Sequence, residues 1–172
     1  MSFTASALIV SWAAIALLGF ALAGVLQRVY ALEQALRGDD GDVQANGLVG
    51  QPAPAIDGVD LAGGAALLVF ADTTCGSCMR SLPEVERLAA TYEGVLSVRM
   101  LWVDRPPDPL PVERVEHVPE AAPAFTAYGV PATPYAVSID AEQRIAAAGV
   151  AGSPKHLERI AAVVAREREP LT

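Results

Sequence analysis

Both cysteines of the 172-residue chain sit in one cluster, Cys75-Gly76-Ser77-Cys78, between a strand-like run and a helix-like one. Ala66-Leu67-Leu68-Val69-Phe70-Ala71 is a continuous apolar stretch of strand length, the pattern of a central strand buried on both faces. It stops at Asp72-Thr73-Thr74. Beyond the cluster, Val85, Leu88, Ala89 and Tyr92 recur at i, i+3, i+4 and i+7, the apolar stripe of a helix that begins close to Cys75. Strand, tight loop, cysteine and helix follow in that order. A disulfide-stapled scaffold spreads its sulfur along the chain, whereas this pair is local and chemical in character.

The position suggests the chemistry. A thiolate is the nucleophile of disulfide exchange, and the free N–H groups and dipole of a helix N-terminus favour an anion placed in the first turn. Cys75 is placed to receive that field. Cys78, three residues on and on the same helical face, can attack a mixed disulfide and release the product. Zinc is disfavoured, because a structural site wants four ligands, while His117 and His156 are isolated and no second cysteine pair exists. No metal and no cofactor are expected, and neither histidine is assigned a role.

The remainder reads as one compact domain. From Ala5 to Gln27 the chain carries no charged residue, enough at ~1.5 Å per residue to span a bilayer core of ~30 Å. A cleaved signal peptide has a shorter apolar region of about 7–15 residues preceded by positive charge, and no Lys or Arg precedes this one. The expected organisation is a transmembrane anchor over residues 1–27, a juxtamembrane linker over 28–47 containing Gly38-Asp39-Asp40-Gly41-Asp42, and a folded domain over 48–172. With 20 acidic against 12 basic residues and a single lysine, Lys155, the chain lacks the positive field that binds phosphate backbones, so nucleic acid is excluded as a partner.

Within the domain, Gly50 to Pro54 and Asp57-Gly58 are turn material leading to a short N-terminal strand or hairpin. Val95 to Val103 reads as a second core strand, in which Val98, Met100 and Trp102 alternate with Arg99 and Leu101. Asp104 to Pro111 carries four prolines and is neither regular helix nor central strand. A short helix is expected within Pro119 to Tyr128, a strand over Tyr135 to Ile139, a turn at Asp140 to Gln143 and a partner strand over Arg144 to Ala148. Ser153 and Pro154 are the N-cap and first residue of a last helix that buries Leu157, Ile160, Ala161 and Val164.

These segments together resemble thioredoxin-fold proteins, and more closely the membrane-anchored TlpA/ResA-like group and its MauD (methylamine-utilisation) branch. Val49 to Pro54 looks like that group's leading segment, Phe70 to Pro83 like its active-site strand and helix, and Val130 to Asp140 like its cis-proline segment. Gly149 to Ile160 is similar to MauD's C-terminal stretch, as is the apolar span followed by Leu26-Gln27-Arg28-Val29 to its N-terminus. The resemblance implies a central mixed β-sheet flanked by helices, Pro134 as a cis-proline facing the thiols, and Thr133 offering backbone hydrogen bonds to an extended substrate. It further implies a thiol–disulfide oxidoreductase acting on extracytoplasmic proteins that carry thiols or disulfides, as a reductant in protein or cofactor-site maturation, supplied by a membrane electron-donor protein. Arg28 and Arg37, following the span, favour a cytoplasmic domain by the positive-inside rule, but two arginines give little bias and the resemblance is preferred.

The chain departs from the pattern at two places. The buried acidic residue of classical thioredoxins falls at Val69, and the helix glutamate of ResA-like proteins at Ser81. Asp72 is either a nearby base or a solvated loop residue. The rival function is a tethered thioredoxin-scaffold binding module without redox turnover.

Overall fold

The structure, a computed structural model, describes Trp12, residues 47–110 and residues 114–166. The chain divides at Asp40/Gly41 into two units, and the fold set out here belongs to the second. Among the described residues no helix is long and apolar enough to cross a membrane. The apolar run at 5–27, Trp12 apart, and the linker up to residue 46 lie outside them.

Five strands form one mixed sheet: β1 (Ala66–Ala71), β2 (Ser97–Trp102), β3 (Glu116–Val118), β4 (Tyr135–Ile139) and β5 (Ile145–Val150). Their order is β3-β2-β1-β4-β5, with β1–β2 and β2–β3 parallel and β1–β4 and β4–β5 antiparallel. The helices are α1 (Gly76–Thr91), α2 (Ala122–Ala127) and α3 (Pro154–Ala165). β1 is central and buried at every residue, which is why its sequence shows no polar alternation.

The two-residue period of the strands sorts side chains onto two faces. Leu67, Val69, Ala71, Val98, Met100 and Trp102 pack with the buried stripes of α1 and α3. Leu68, Phe70, Leu101, Val137 and Ile139 pack on the other side with Ala124 and Tyr128, and Phe70 meets the Phe125 ring edge-on at 5.0 Å. A register shift between Ser138 and Ile139 sets Ala146 and Ala147 against one partner residue, a β-bulge.

Several boundaries differ from expectation. The second strand starts at Ser97 rather than Val95, because Val95 and Leu96 both donate to the Tyr92 carbonyl in the turn after α1. β3 was not expected, since Glu-His-Val is short and polar; its pairing with β2 supplies what propensity lacks. The expected N-terminal strand or hairpin is reduced to isolated bridges, Pro52 with Arg144 and Ile56 with Val59. The last helix begins as its sequence indicates, with the Ser153 side chain accepting from the His156 N–H.

Candidate active site

α1 follows β1 after four residues, three of turn and the N-cap Cys75. The Asp72 carboxylate accepts from the Thr74 N–H and hydroxyl, both at 2.7 Å, and its carbonyl accepts from the Cys75 N–H at 3.1 Å. That turn delivers Cys75 to the N-cap of α1 in extended conformation, φ −84° and ψ 104°. The Thr74 hydroxyl and amide hold the Asp72 carboxyl below its ordinary range. Asp72 is therefore a turn-forming residue and a poor proton acceptor.

Cys75 Sγ occupies the place a capping hydroxyl would take. It accepts the Cys78 N–H at 3.3 Å, lies 3.0 Å from Ser77 Oγ, and is 3.4 Å from the Thr133 carbonyl oxygen. Burial works against its ionisation, but the Cys78 thiol, the Ser77 hydroxyl, the Thr133 side chain and the Cys78 amide together bring the Cys75 thiol down to about 7. Ser77 was not anticipated; a hydroxyl in the first turn after a capping sulfur is the signal that could have revealed it.

Cys78 has no exposed surface and belongs to the same core cluster as Val69, Ala71 and Leu82. Burial, and the hydrogen bond it donates to Cys75, push its thiol up to about 11. Val69 lines the same cluster, and the Ser81 hydroxyl donates to the Cys78 carbonyl at 2.8 Å. Both cysteines are free thiols. One sulfur is acidic and reachable while the other is masked behind it.

The Thr133–Pro134 peptide bond is cis, and this segment brings the Thr133 carbonyl to Cys75 across 58 residues of sequence. Pro134 is buried, and its carbonyl accepts the Ala151 N–H at 2.8 Å. The four residues singled out by sequence, Cys75, Cys78, Thr133 and Pro134, thus converge at one end of the sheet. Of the histidines, His156 donates its N–H to the Ser153 cap, while His117 lies on β3 and accepts from Trp102 Nε1 at 3.0 Å. Among the described residues no three His, Cys, Asp or Glu side chains gather as a metal site. A cavity of about 460 Å³ lies elsewhere, between Tyr92, the α3 residues Lys155, Glu158 and Arg159, and Arg166 at its C-cap. Disulfide exchange takes an extended segment across a surface and does not require such a cavity.

The fold has many solved counterparts. A protein from Chlorobium tepidum assigned as thiol:disulfide interchange protein DsbE is 24% identical with a TM-score of 0.57, over 67% of this chain and 94% of its own. A thiol:disulfide interchange protein from Bacteroides sp. is 18% identical with a TM-score of 0.54, over 70% and 93%. A thioredoxin-like protein from Parabacteroides distasonis is 17% identical with a TM-score of 0.51, over 66% and 94%. No protein-family model matches the chain, and no curated protein matches it. Likeness at this level of identity establishes the fold, which is thioredoxin-like, with a dithiol at the strand-to-helix turn.

Proposed function

We propose that this chain is a thiol–disulfide oxidoreductase that reduces disulfides in protein substrates through Cys75 and Cys78. The carrying observation is the asymmetry of the two sulfurs: a helix-capping thiol at about 7 beside the cis-proline segment, and a fully buried one at about 11. The Cys75 thiolate attacks one sulfur of a substrate disulfide, forming the Cys75–substrate bond, breaking the substrate S–S bond and expelling a thiolate that takes a proton from water. Cys78 then loses its proton to solvent and attacks Cys75 Sγ. The Cys75–Cys78 disulfide forms and the second substrate thiol leaves, so two electrons and two protons have passed to the substrate. A dithiol donor must reverse the change for a further cycle.

The direction of electron flow is part of the proposal. A nucleophile near 7 resembles thioredoxin's, whereas a strong oxidant such as DsbA has its own near 3.5. The similar solved proteins from Chlorobium tepidum and Bacteroides are described as thiol:disulfide interchange proteins, which supports exchange as the chemistry. The proposal extends to the MauD branch of the membrane-anchored group, to the anchor at 1–27 and linker at 28–47, and to an extracytoplasmic domain fed by a membrane electron donor. It rests there on the uncharged run from Ala5 to Gln27 and on the sequence resemblance.

Each step can be checked by replacing one sulfur. The Cys78→Ser variant should accumulate mixed disulfides with substrate, visible as reductant-sensitive bands, while Cys75→Ser should form none. Equal accumulation by both variants would reverse the roles. Failure of the wild-type chain to cycle between dithiol and disulfide, read by mass after thiol alkylation, would favour a binding module.

A further inference from the structure

Arg80 lies on the first turns of α1 and is exposed. Four residues on stands Glu84, the spacing at which a helix forms an ion pair. Glu84 is occupied: Arg87 holds it through Nε–Oε2 at 2.9 Å and Nη2–Oε1 at 2.6 Å. Arg80 therefore has no ion-pair partner among the described residues. Helical side chains lean towards the N-terminus, and one turn back from Arg80 is Gly76. Its guanidinium lies over that glycine, with Nη1 3.4 Å from where a Cβ would be. Gly76 directly follows Cys75, so the cation lies over the residue next to the nucleophile.

On the loop side of Cys75, the Asp72 carboxylate is already engaged, hydrogen-bonded to Thr74. The chain as a whole is acidic, with a net charge of −8. A positive charge beside the thiol therefore runs against the overall field. Arg80 is not among the groups that lower Cys75, which are the Cys78, Ser77 and Thr133 contacts.

We infer that Arg80 is a specificity-determining residue, which favours substrates carrying a carboxylate next to the cysteine that Cys75 attacks, on the side facing the start of α1. The inference rests on the exchange reading above and adds the chemical class of substrate to it. The guanidinium pairs with the incoming carboxylate while the Cys75–substrate bond forms, and the absence of a side chain at Gly76 leaves the approach open. Arg80 takes no part in bond making.

The test uses the full-length chain, its Arg80→Gln and Arg80→Glu variants, and two disulfide-bonded peptides that differ only in Glu or Lys beside the cysteine. The exposed pair predicts that wild-type protein reacts about two- to fivefold faster with the Glu peptide at low salt, a preference that fades in about 1 M salt. In Arg80→Gln the preference disappears, and in Arg80→Glu it inverts. The pH midpoint of Cys75 alkylation stays the same in Arg80→Gln. A preference that survives Arg80→Gln, an equal loss on both peptides, or an upward shift of that midpoint in Arg80→Gln overturns the inference alone. Failure of the wild type to react with either peptide overturns the exchange reading together with it.

Discussion

Two helices of this domain start with the same device and put it to different ends. At α3 the Ser153 hydroxyl accepts the N–H of the residue three positions on at 3.3 Å; at α1 the Cys75 sulfur accepts the equivalent N–H, also at 3.3 Å. Both caps have extended backbone, and neither helix has an acidic residue in its first turn. The hydroxyl is not acidic, so the α3 cap can only hold the helix end. The sulfur is ionisable, so the same donors that hold the α1 end also stabilise charge. The cap geometry is generic, and the reactivity comes from the atom placed in it and from what faces it: Ser77, Cys78 and the cis Thr133–Pro134 segment.

The sharpest way to break the comparison is to make the two caps alike. Cys75→Ser should abolish disulfide exchange down to the uncatalysed rate while changing unfolding free energy at about pH 7 by no more than about 1 kcal/mol, since serine is a good N-cap. Thermal melting alongside turnover reads both. If melting falls by much more, the sulfur is holding structure that a hydroxyl cannot.

The next effect separates the two sulfurs by pH. Cys75 has its folded value lowered from about 9 to about 7, so it contributes stability that is present above its unfolded value and lost as pH falls through 7. Cys78 is raised from about 9 to about 11, so its contribution is present below its unfolded value and lost as pH rises through 11. Denaturant titrations of the dithiol form should show stability rising between about pH 7 and 9 and falling between about 9 and 11. The rising limb should vanish in Cys75→Ser, and the falling limb should vanish in Cys78→Ser.

His117 gives a smaller effect in the acid range. Burial holds its imidazole below the ordinary value, so the unfolded chain takes up a proton first and stability declines as pH drops through about 6.5. His117→Gln should flatten that decline in the same titrations. The smallest effect on activity belongs to the structural cap: Ser153→Ala should cost about 1 kcal/mol of stability and leave the exchange rate of the folded protein unchanged.

The legibility of these features in the sequence follows their physical origin. β1 announced itself through an unbroken apolar run because both its faces are covered, and α3 through a serine, a proline and a 3.6-residue stripe. The CxxC spacing placed the thiols at a helix start without further help. β3 was hidden because Glu116, His117 and Val118 owe their extended form to β2, not to their own preferences. The contact between Thr133 and Cys75 spans 58 residues, and resemblance to a known segment suggested only that Pro134 faces the thiols and that Thr133 serves the substrate. Ser77 and Arg80 escaped notice because hydroxyls and arginines on exposed helix turns are commonplace; only the 3.0 Å approach to Cys75 and the occupied Glu84 single them out.

The central claim is that the start of α1 makes Cys75 an anion near neutral pH. Its most direct test is the pH dependence of Cys75 alkylation in the full-length dithiol protein, with the modified residue assigned by mass spectrometry. The rate should rise with a midpoint at about pH 7 while Cys78 stays unmodified. A midpoint at about pH 9, the value of an ordinary thiol, or simultaneous modification of both cysteines, would contradict it.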